Sequence, residues 1–123
     1  MGLRDAIENA DMVATWYGKG FDWKFLNSRL LTHGHRVMNR IWHVDLCIQA
    51  ARQLAFHSSR LDAFAKWVGL PVQKTPLLPV VWQKAAMGDG DSVRLVMEHC
   101  EADTLITRAI FPYIKRAVRA VSL

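Results

Sequence analysis

The chain has 123 residues, which is enough for one small domain with a single core. Apolar residues make up 51% of it and charged residues 22%, a balance that is typical of a packed globular protein and excludes a disordered one. The formal net charge of +5 favours a polyanionic partner, and nucleic acid is the first candidate. No apolar run approaches the roughly 18 to 20 residues that cross a bilayer, so we expect no membrane partner.

Two local features indicate the compartment. The N-terminal segment carries Arg4, Asp5 and Glu8 and lacks the apolar region of a signal peptide, so we expect a cytoplasmic protein. Cys47 and Cys100 are far apart and form no Cys-x-x-Cys pair. We interpret both as buried free thiols, and we expect neither a disulfide nor a zinc site.

The first third of the chain predicts two strands separated by a helix. Residues 3–9 are predicted to form a short helix, and the apolar run 11–17 a buried strand that ends in a glycine-rich turn. Apolar residues then recur at helical spacing until Gly34, a plausible helix end. Residues 41–46 are rich in β-forming side chains and predict the second strand.

The rest of the chain is predicted to be helical. The segments are 46–56, a helix from a cap at Ser58 or Ser59 to Gly69, a short helix at 81–87, a long helix from a cap at Asp91 to a bend at Pro112, and a last helix to Val121. Alternating strands and helices indicate an α/β fold, a mainly parallel sheet with helical cover, in a single domain over residues 1–123. Two strands alone do not form a stable sheet, so we expect a partial fold that oligomerisation or a partner chain completes.

Three acids are candidate functional residues. Asp22 lies between a strand and a helix, where it can either hold a metal or act as the N-cap of the helix. Asp103 lies in a helical segment four residues after His99, and it can either face solvent or belong to the same site. Asp45 ends the second predicted strand, and we favour a helix cap over a peripheral site residue.

The segment Gly20-Phe21-Asp22 to Phe25-Leu26-Asn27-Ser28-Arg29 resembles the second motif of the DEDD superfamily of 3′–5′ exonucleases, which have the ribonuclease H fold. The closest group is the YprB-type ribonuclease H-like domain. His43-Val44-Asp45-Leu46 is similar to the next strand of that family, 59–70 to its following helix, and 98–103 to its last motif. The resemblance extends from about residue 10 to residue 116, with the motifs in the family order.

The resemblance implies a catalytic centre. Family members hydrolyse phosphodiesters with two divalent ions, Mg²⁺ or Mn²⁺, which lie about 4 Å apart and are held by four carboxylates. By the resemblance Asp22 is the second-motif ligand and Asp103 the last one, and both are then metal and catalytic residues. His99 is the candidate base, a histidine at the spacing where the family's tyrosine subgroup has tyrosine.

One departure from the family concerns its first motif. The Asp-x-Glu pair of the first strand does not occur before Asp22, and the nearby acids Asp5, Glu8 and Asp11 have the wrong spacing. The family's first strands would have to precede residue 1, so the chain is similar to the second half of the domain. We therefore expect an incomplete active site.

Basic and aromatic residues surround the Asp22 turn. Lys19, Lys24 and Arg29 flank it and are candidate contacts for nucleic-acid phosphates. Tryptophans nearby offer rings for base stacking, although we favour the core for them. The first functional prediction is a 3′–5′ exonuclease acting on DNA or RNA, incomplete or inactive as this chain alone. The alternative is a non-catalytic module that binds nucleic acid or protein.

The predicted partners follow from the sheet. In the parent fold the strand at 12–17 pairs with the first strand, so its apolar edge is open here. We expect a homodimer or a complementary N-terminal fragment to cover this edge.

Overall fold

The computed structural model describes residues 2–38, 41–71 and 76–117. The chain divides into two compact units, of which the first comprises Met1–Ala55 and Tyr113–Leu123 and the second Phe56–Pro112. The prediction of a single domain stays a prediction. Within the described residues the elements are α1 (Leu3–Glu8), β1 (Val13–Thr15), α2 (Asp22–Thr32), β2 (His43–Asp45), α3 (Leu46–Gln53), α4 (Leu61–Trp67), α5 (Pro79–Ala86) and α6 (Gly90–Ala117).

The two strands form a parallel pair in the first unit. Ala14 of β1 lies opposite Val44 of β2, and the two are the only strands in the part of the chain that the structure describes. This confirms the predicted α/β class and the parallel pairing. Both strands are shorter than predicted, because Tyr17 takes a left-handed φ of 62° after β1 and α3 begins directly after β2. β2 is buried throughout, whereas β1 is only partly buried, so the prediction of a buried first strand is wrong.

Helices α1 and α2 agree with the predicted periodicity. Glu8, the last residue of α1, receives two hydrogen bonds from the guanidinium of Arg36, at 2.7 and 2.8 Å. These contacts fasten the first helix to the segment that follows α2. Gly34 has a φ of 77°, which is the left-handed conformation that commonly ends a helix, and it confirms the predicted end.

The second unit has an aromatic core. The ring of Phe64, which is fully buried, lies 5.1 Å from that of Phe56 and 5.6 Å from that of Trp67. Such ring pairs stabilise a core by about 0.5–1.5 kcal/mol each beyond the burial of their area. Gly69 follows with a φ of 89°, which confirms the predicted end of α4.

Two predicted caps are wrong. The residue before α4 is Arg60, which makes no side-chain cap, and Ser58 Oγ only accepts the N–H of Arg60 at 3.3 Å. At α6 the cap is Asp89 instead of Asp91: Asp89 Oδ2 accepts the N–H of Ser92 at 3.1 Å and its hydroxyl at 2.6 Å. These two hydrogen bonds lower the pKa of Asp89. Asp89 and Asp91 are both residues of a type that commonly caps helices. The position of the first helical turn of α6 decides which of them is the cap.

The bend predicted at Pro112 does not interrupt the helix. α6 continues through this proline to Ala117, and the predicted end at Val121 lies outside the described residues. A proline inside a helix removes one backbone hydrogen bond. Ile110 and Ile114, which flank it, are buried, and the burial of these two side chains offsets that loss.

The predictions about the two cysteines and about a membrane span can be compared with the structure. Cys47 is buried as predicted, but Cys100 is exposed, so the prediction of a buried thiol is wrong for Cys100. Among the helices that the structure describes, none combines the length and the apolar character that a membrane span requires. The cytoplasmic location stays a prediction.

Candidate functional site

The carboxylate of Asp45 organises the turn between β1 and α2. It is 1% exposed, and it accepts the N–H of Tyr17 at 2.8 Å with Oδ1 and the N–H of Lys19 at 3.1 Å with Oδ2. Oδ1 also accepts the N–H groups of Cys47 and Ile48 at 3.1 and 3.3 Å, which confirms the predicted cap of α3. One side chain thus joins the end of β2, the start of α3 and the turn after β1.

A second set of contacts closes the same turn. Thr15 Oγ1 accepts the N–H of Gly18 at 3.1 Å and lies 2.8 Å from Nε2 of His43. The carbonyl of Gly18 in turn accepts the N–H of Trp23 at 2.8 Å, in the first turn of α2. The chain path from Thr15 to Trp23 is therefore held by a side chain from each strand.

His43 is the buried polar group behind this turn. Its ring is 8% exposed and lies 5.0 Å from the ring of Trp23. Burial lowers the pKa of His43, and the positive charge of Lys19 lowers it further, against the opposing charges of Asp45 and Asp22. The imidazole is therefore neutral at neutral pH, and its Nε2 can accept the hydroxyl proton of Thr15 when the ring proton is on Nδ1.

This burial predicts a pH dependence of stability. The unfolded chain protonates His43 near the ordinary pKa of 6.5, whereas the folded chain protonates it only at a lower pH. The free energy of unfolding should thus fall as the pH drops below 6.5, and should level off below the folded pKa. Urea denaturation at several pH values between about 5 and 8 measures this dependence of the free energy of unfolding on pH.

The matched variants are His43→Gln and His57→Gln. Glutamine at 43 keeps a hydrogen-bonding group for Thr15 but does not titrate, so this part of the pH dependence should disappear. His57→Gln removes an exposed imidazole and keeps His43, so the part of the pH dependence that is due to His43 should persist in it. An identical pH profile in the two variants would show that the His43 ring is not the source.

Asp22 is the first residue of α2, and its side chain is exposed. The N-cap position is occupied by Phe21, so the capping alternative for Asp22 is wrong. Within the described ranges, the Asp22 carboxylate receives no hydrogen bond. Its negative charge lies at the N-terminus of a helix, where the helix dipole favours it. The turn therefore presents one open carboxylate to solvent.

The predicted basic residues lie around this turn. Lys19, Lys24 and Arg29 are all exposed, and the guanidinium of Arg29 lies 2.8 Å from Nε2 of His33. The same helix exposes Phe25, whose ring stacks on that of Phe21 at 5.9 Å. Cations and open rings thus flank Asp22, a combination that suits a nucleic-acid strand.

The remaining predicted site residues belong to the second unit. His99 Nε2 lies 3.7 Å from Asp103 Oδ2 across one turn of α6, which is an ion-pair distance rather than a hydrogen bond. The rings of His99 and Trp82 form a T-shaped pair with their centroids 5.9 Å apart. His99 and Asp103 therefore form a pair, while Asp22 belongs to the first unit.

The described residues do not fit a complete metal centre. Among them, no three His, Cys, Asp or Glu side chains are placed to hold one ion. Asp45 is not available as a ligand, because four backbone N–H groups occupy its oxygens. Within residues 2–38, 41–71 and 76–117, the chain thus offers Asp22 and Asp103 as separate candidate ligands for Mg²⁺ or Mn²⁺, and no hydrolytic step follows from them alone.

A comparison with protein families gives the class of this chain. The family model of the RNase H superfamily matches residues 2–114, and the chain therefore belongs to that superfamily. No curated protein and no solved structure matches it. The six helices and the two parallel strands of the described residues form part of an RNase H-like fold. Membership supports a nuclease-related function and a nucleic-acid partner, and nucleases with this fold generally use divalent metals.

Proposed function

We propose that this chain is part of a 3′–5′ exonuclease of the DEDD type, close to the YprB group. This exonuclease hydrolyses DNA or RNA with two divalent ions. The observation that carries the proposal is the open carboxylate of Asp22, which follows a turn held on both sides by Asp45 and Thr15. A carboxylate on a rigid turn is a suitable ligand for hard Mg²⁺ or Mn²⁺. Asp22 is then a metal ligand in this function.

Two further residues have roles in the proposed site. Asp103 is the second metal ligand that this chain supplies, and His99 is the general base that takes the proton of the attacking water. Their 3.7 Å separation supports a shared site, because one turn of α6 brings the carboxylate and the imidazole next to each other. Lys19, Lys24 and Arg29 contact the phosphates of the bound strand.

The missing carboxylates come from another polypeptide segment in this proposal. β1 and β2 are the only strands within the described residues, and a parallel pair of this size needs cover at its edges. A homodimer or a complementary N-terminal fragment would pair with the open edge of β1, and of the two only the fragment could also bring the Asp-x-Glu acids next to Asp22.

A metal-dependent degradation assay tests the proposal. The chain is purified under mild conditions from the cells that make it, so that bound partners are kept, and is given a 5′-labelled single-stranded 20-mer with Mn²⁺. We expect shortened products that retain the label. Because even outer-shell partners of a metal are worth about 10- to 100-fold in activity, Asp22→Asn should reduce the rate by roughly 100-fold or more.

The control variant is Asp11→Asn, which removes an exposed acid that precedes β1. It should retain the full rate. An absence of Mn²⁺-dependent cleavage in the unmodified protein, or equal rates in Asp22→Asn and Asp11→Asn, would contradict the exonuclease proposal.

The second candidate function is a non-catalytic module that binds nucleic acid or protein. The observation in its favour is the lack of a three-ligand group in the described part of the chain. Retention of a labelled strand without cleavage, unaffected by Asp22→Asn, would favour this module over the exonuclease.

A further inference from the structure

The second unit contains a cleft lined by residues of that unit alone. Its volume is about 470 Å³, within the range of ligand sites. Side chains of two cations, one imidazole, one acid, one hydroxyl and one indole line it: Arg60, Lys66, His57, Asp62, Ser58 and Trp67. We propose that this cleft binds one nucleotide unit of a single-stranded nucleic acid, with the base on Trp67 and the phosphate on Arg60 and Lys66.

Trp67 is a fixed platform for a base. Its ring lies 5.6 Å from that of Phe64 and 6.1 Å from that of Phe56, so the core holds its orientation. The residue is nevertheless 48% exposed, which leaves ring surface open to the cleft. A ring that is already ordered loses little conformational entropy on binding, and stacking is available to every base because each has a π-face.

Arg60 is directed by a neighbouring acid. Its Nε lies 3.5 Å from Oδ1 of Asp62, and the side chain of Arg60 is otherwise 75% exposed. Because the ion pair uses Nε, the two terminal nitrogens keep their donors for phosphate oxygens. Lys66 adds a second cation on the same helix as Asp62. The balance of charge in the cleft therefore favours an anion over a cation.

A smaller cleft of about 210 Å³ lies next to this one. It shares Arg60 and Asp62 with the larger cleft and is also lined by Trp82 and His99. A strand with one nucleotide on Trp67 can therefore continue past Arg60 to a second indole in the same unit. The pairing of two tryptophans with one shared arginine fits successive nucleotides better than an isolated phosphate.

The cleft proposal rests on the proposed function only for the class of its ligand, nucleic acid. Nucleotide binding in the cleft and metal-dependent cleavage can fail separately. Loss of cleavage in Asp22→Asn concerns the metal site, whereas binding in the cleft is measured with EDTA present, where no metal-dependent cleavage occurs. The probe is a 5′-fluorescein-labelled dT12, and the readout is fluorescence anisotropy with the full chain.

The decisive comparison is Arg60→Gln against Arg94→Gln. Both arginines belong to the second unit and each pairs with an exposed or partly exposed aspartate, at 3.5 Å for Arg60 and 3.6 Å for Arg94, so each substitution removes one charge and one ion pair. We expect Arg60→Gln to weaken binding of dT12 roughly tenfold, as for the loss of a charged phosphate contact, and Arg94→Gln to change it less than about twofold. Equal effects would indicate attraction by net charge and would overturn the proposal.

Stacking is tested with Trp67→Leu and Trp67→Phe. Leucine keeps an apolar contact to the Phe pair but removes the aromatic face, so binding should weaken roughly fivefold or more, while phenylalanine should retain most of it. Circular dichroism shows whether the variants fold. If Trp67→Leu unfolds, Lys66→Gln tests the phosphate contact of the same cleft at an exposed position, and unchanged binding of dT12 in this variant would overturn the proposal. Displacement of dT12 by a glutamate-rich peptide, with no effect of Trp67→Leu, would assign the cleft to an acidic peptide and overturn the proposal.

Discussion

Replacing Asp45 with alanine is expected to lower the free energy of unfolding by about 3–5 kcal/mol. The substitution removes the acceptor of four backbone N–H groups, those of Tyr17, Lys19, Cys47 and Ile48. A donor left without an acceptor in a buried place costs about 1–3 kcal/mol, and the loss of a helix cap alone costs about 0.5–2 kcal/mol. The turn and the start of α3 should therefore lose stability together.

Urea denaturation followed by circular dichroism measures this loss. Asp45→Asn keeps one acceptor oxygen and should give an intermediate decrease. The matched control is Asp22→Ala, which removes an exposed carboxylate from the same turn and should cost less than about 1 kcal/mol, the size of a helix-dipole contribution. Equal losses in Asp45→Ala and Asp22→Ala would contradict the different roles that the structure gives to the two acids.

The second large effect is expected at Gly18. Gly18→Ala should destabilise the chain by about 2 kcal/mol, as an overpacked buried site does. Gly18 is buried, and a methyl group there would lie 2.6 Å from Cβ of Thr15. Relief requires Thr15 to move, and Thr15 Oγ1 makes the contacts to both the Gly18 N–H and the His43 ring. The added methyl group should therefore disrupt the turn between β1 and α2.

Gly20→Ala is the control for this prediction. A methyl group at Gly20 would meet the far end of the Tyr17 ring, at 2.6 Å from Cζ. Tyr17 is 55% exposed, so its ring can rotate toward solvent, and we expect a cost below about 1 kcal/mol. Thermal denaturation of the two variants compares them, and a larger loss in Gly20→Ala than in Gly18→Ala would contradict this picture of the turn.

The sequence predicted the local features of this fold well. The change from a compact apolar run to helical spacing before Trp23 indicates the β1–α2 unit, and Gly34 and Gly69 mark helix ends because they supply a positive φ. The cap at Asp45 was predictable from the local sequence, since its carboxylate accepts the N–H groups of Cys47 and Ile48, two and three residues further along the chain. Each of these features is decided by neighbours in sequence.

The contacts across the sheet could not be predicted in this way. Thr15 lies opposite Asp45 only because of the parallel register, and no local pattern sets that register in strands of three residues. The role of Asp45 in the β1–α2 turn, and the burial of His43 behind it, follow from this pairing. A Thr at the end of one strand and an Asp at the end of the next was the only available signal.

Asp22 and Asp45 both lie near the end of a predicted strand, but they have different roles in the structure. Asp45 is buried and saturated with N–H donors, whereas Asp22 is exposed at the start of α2. The structural acid builds the turn, and the open acid is the one that can meet a metal. Metal should therefore bind at Asp22 and not at Asp45.

Paramagnetic line broadening tests it most directly. Small amounts of Mn²⁺ are added to the ¹⁵N-labelled chain, and the loss of each backbone amide signal is recorded in the wild type, Asp22→Asn and Asp11→Asn. We predict that broadening is strongest at Phe21, Asp22 and Trp23, that it persists in Asp11→Asn, and that it disappears in Asp22→Asn. Broadening that is centred on other acids, or that is unchanged in Asp22→Asn, would contradict the claim.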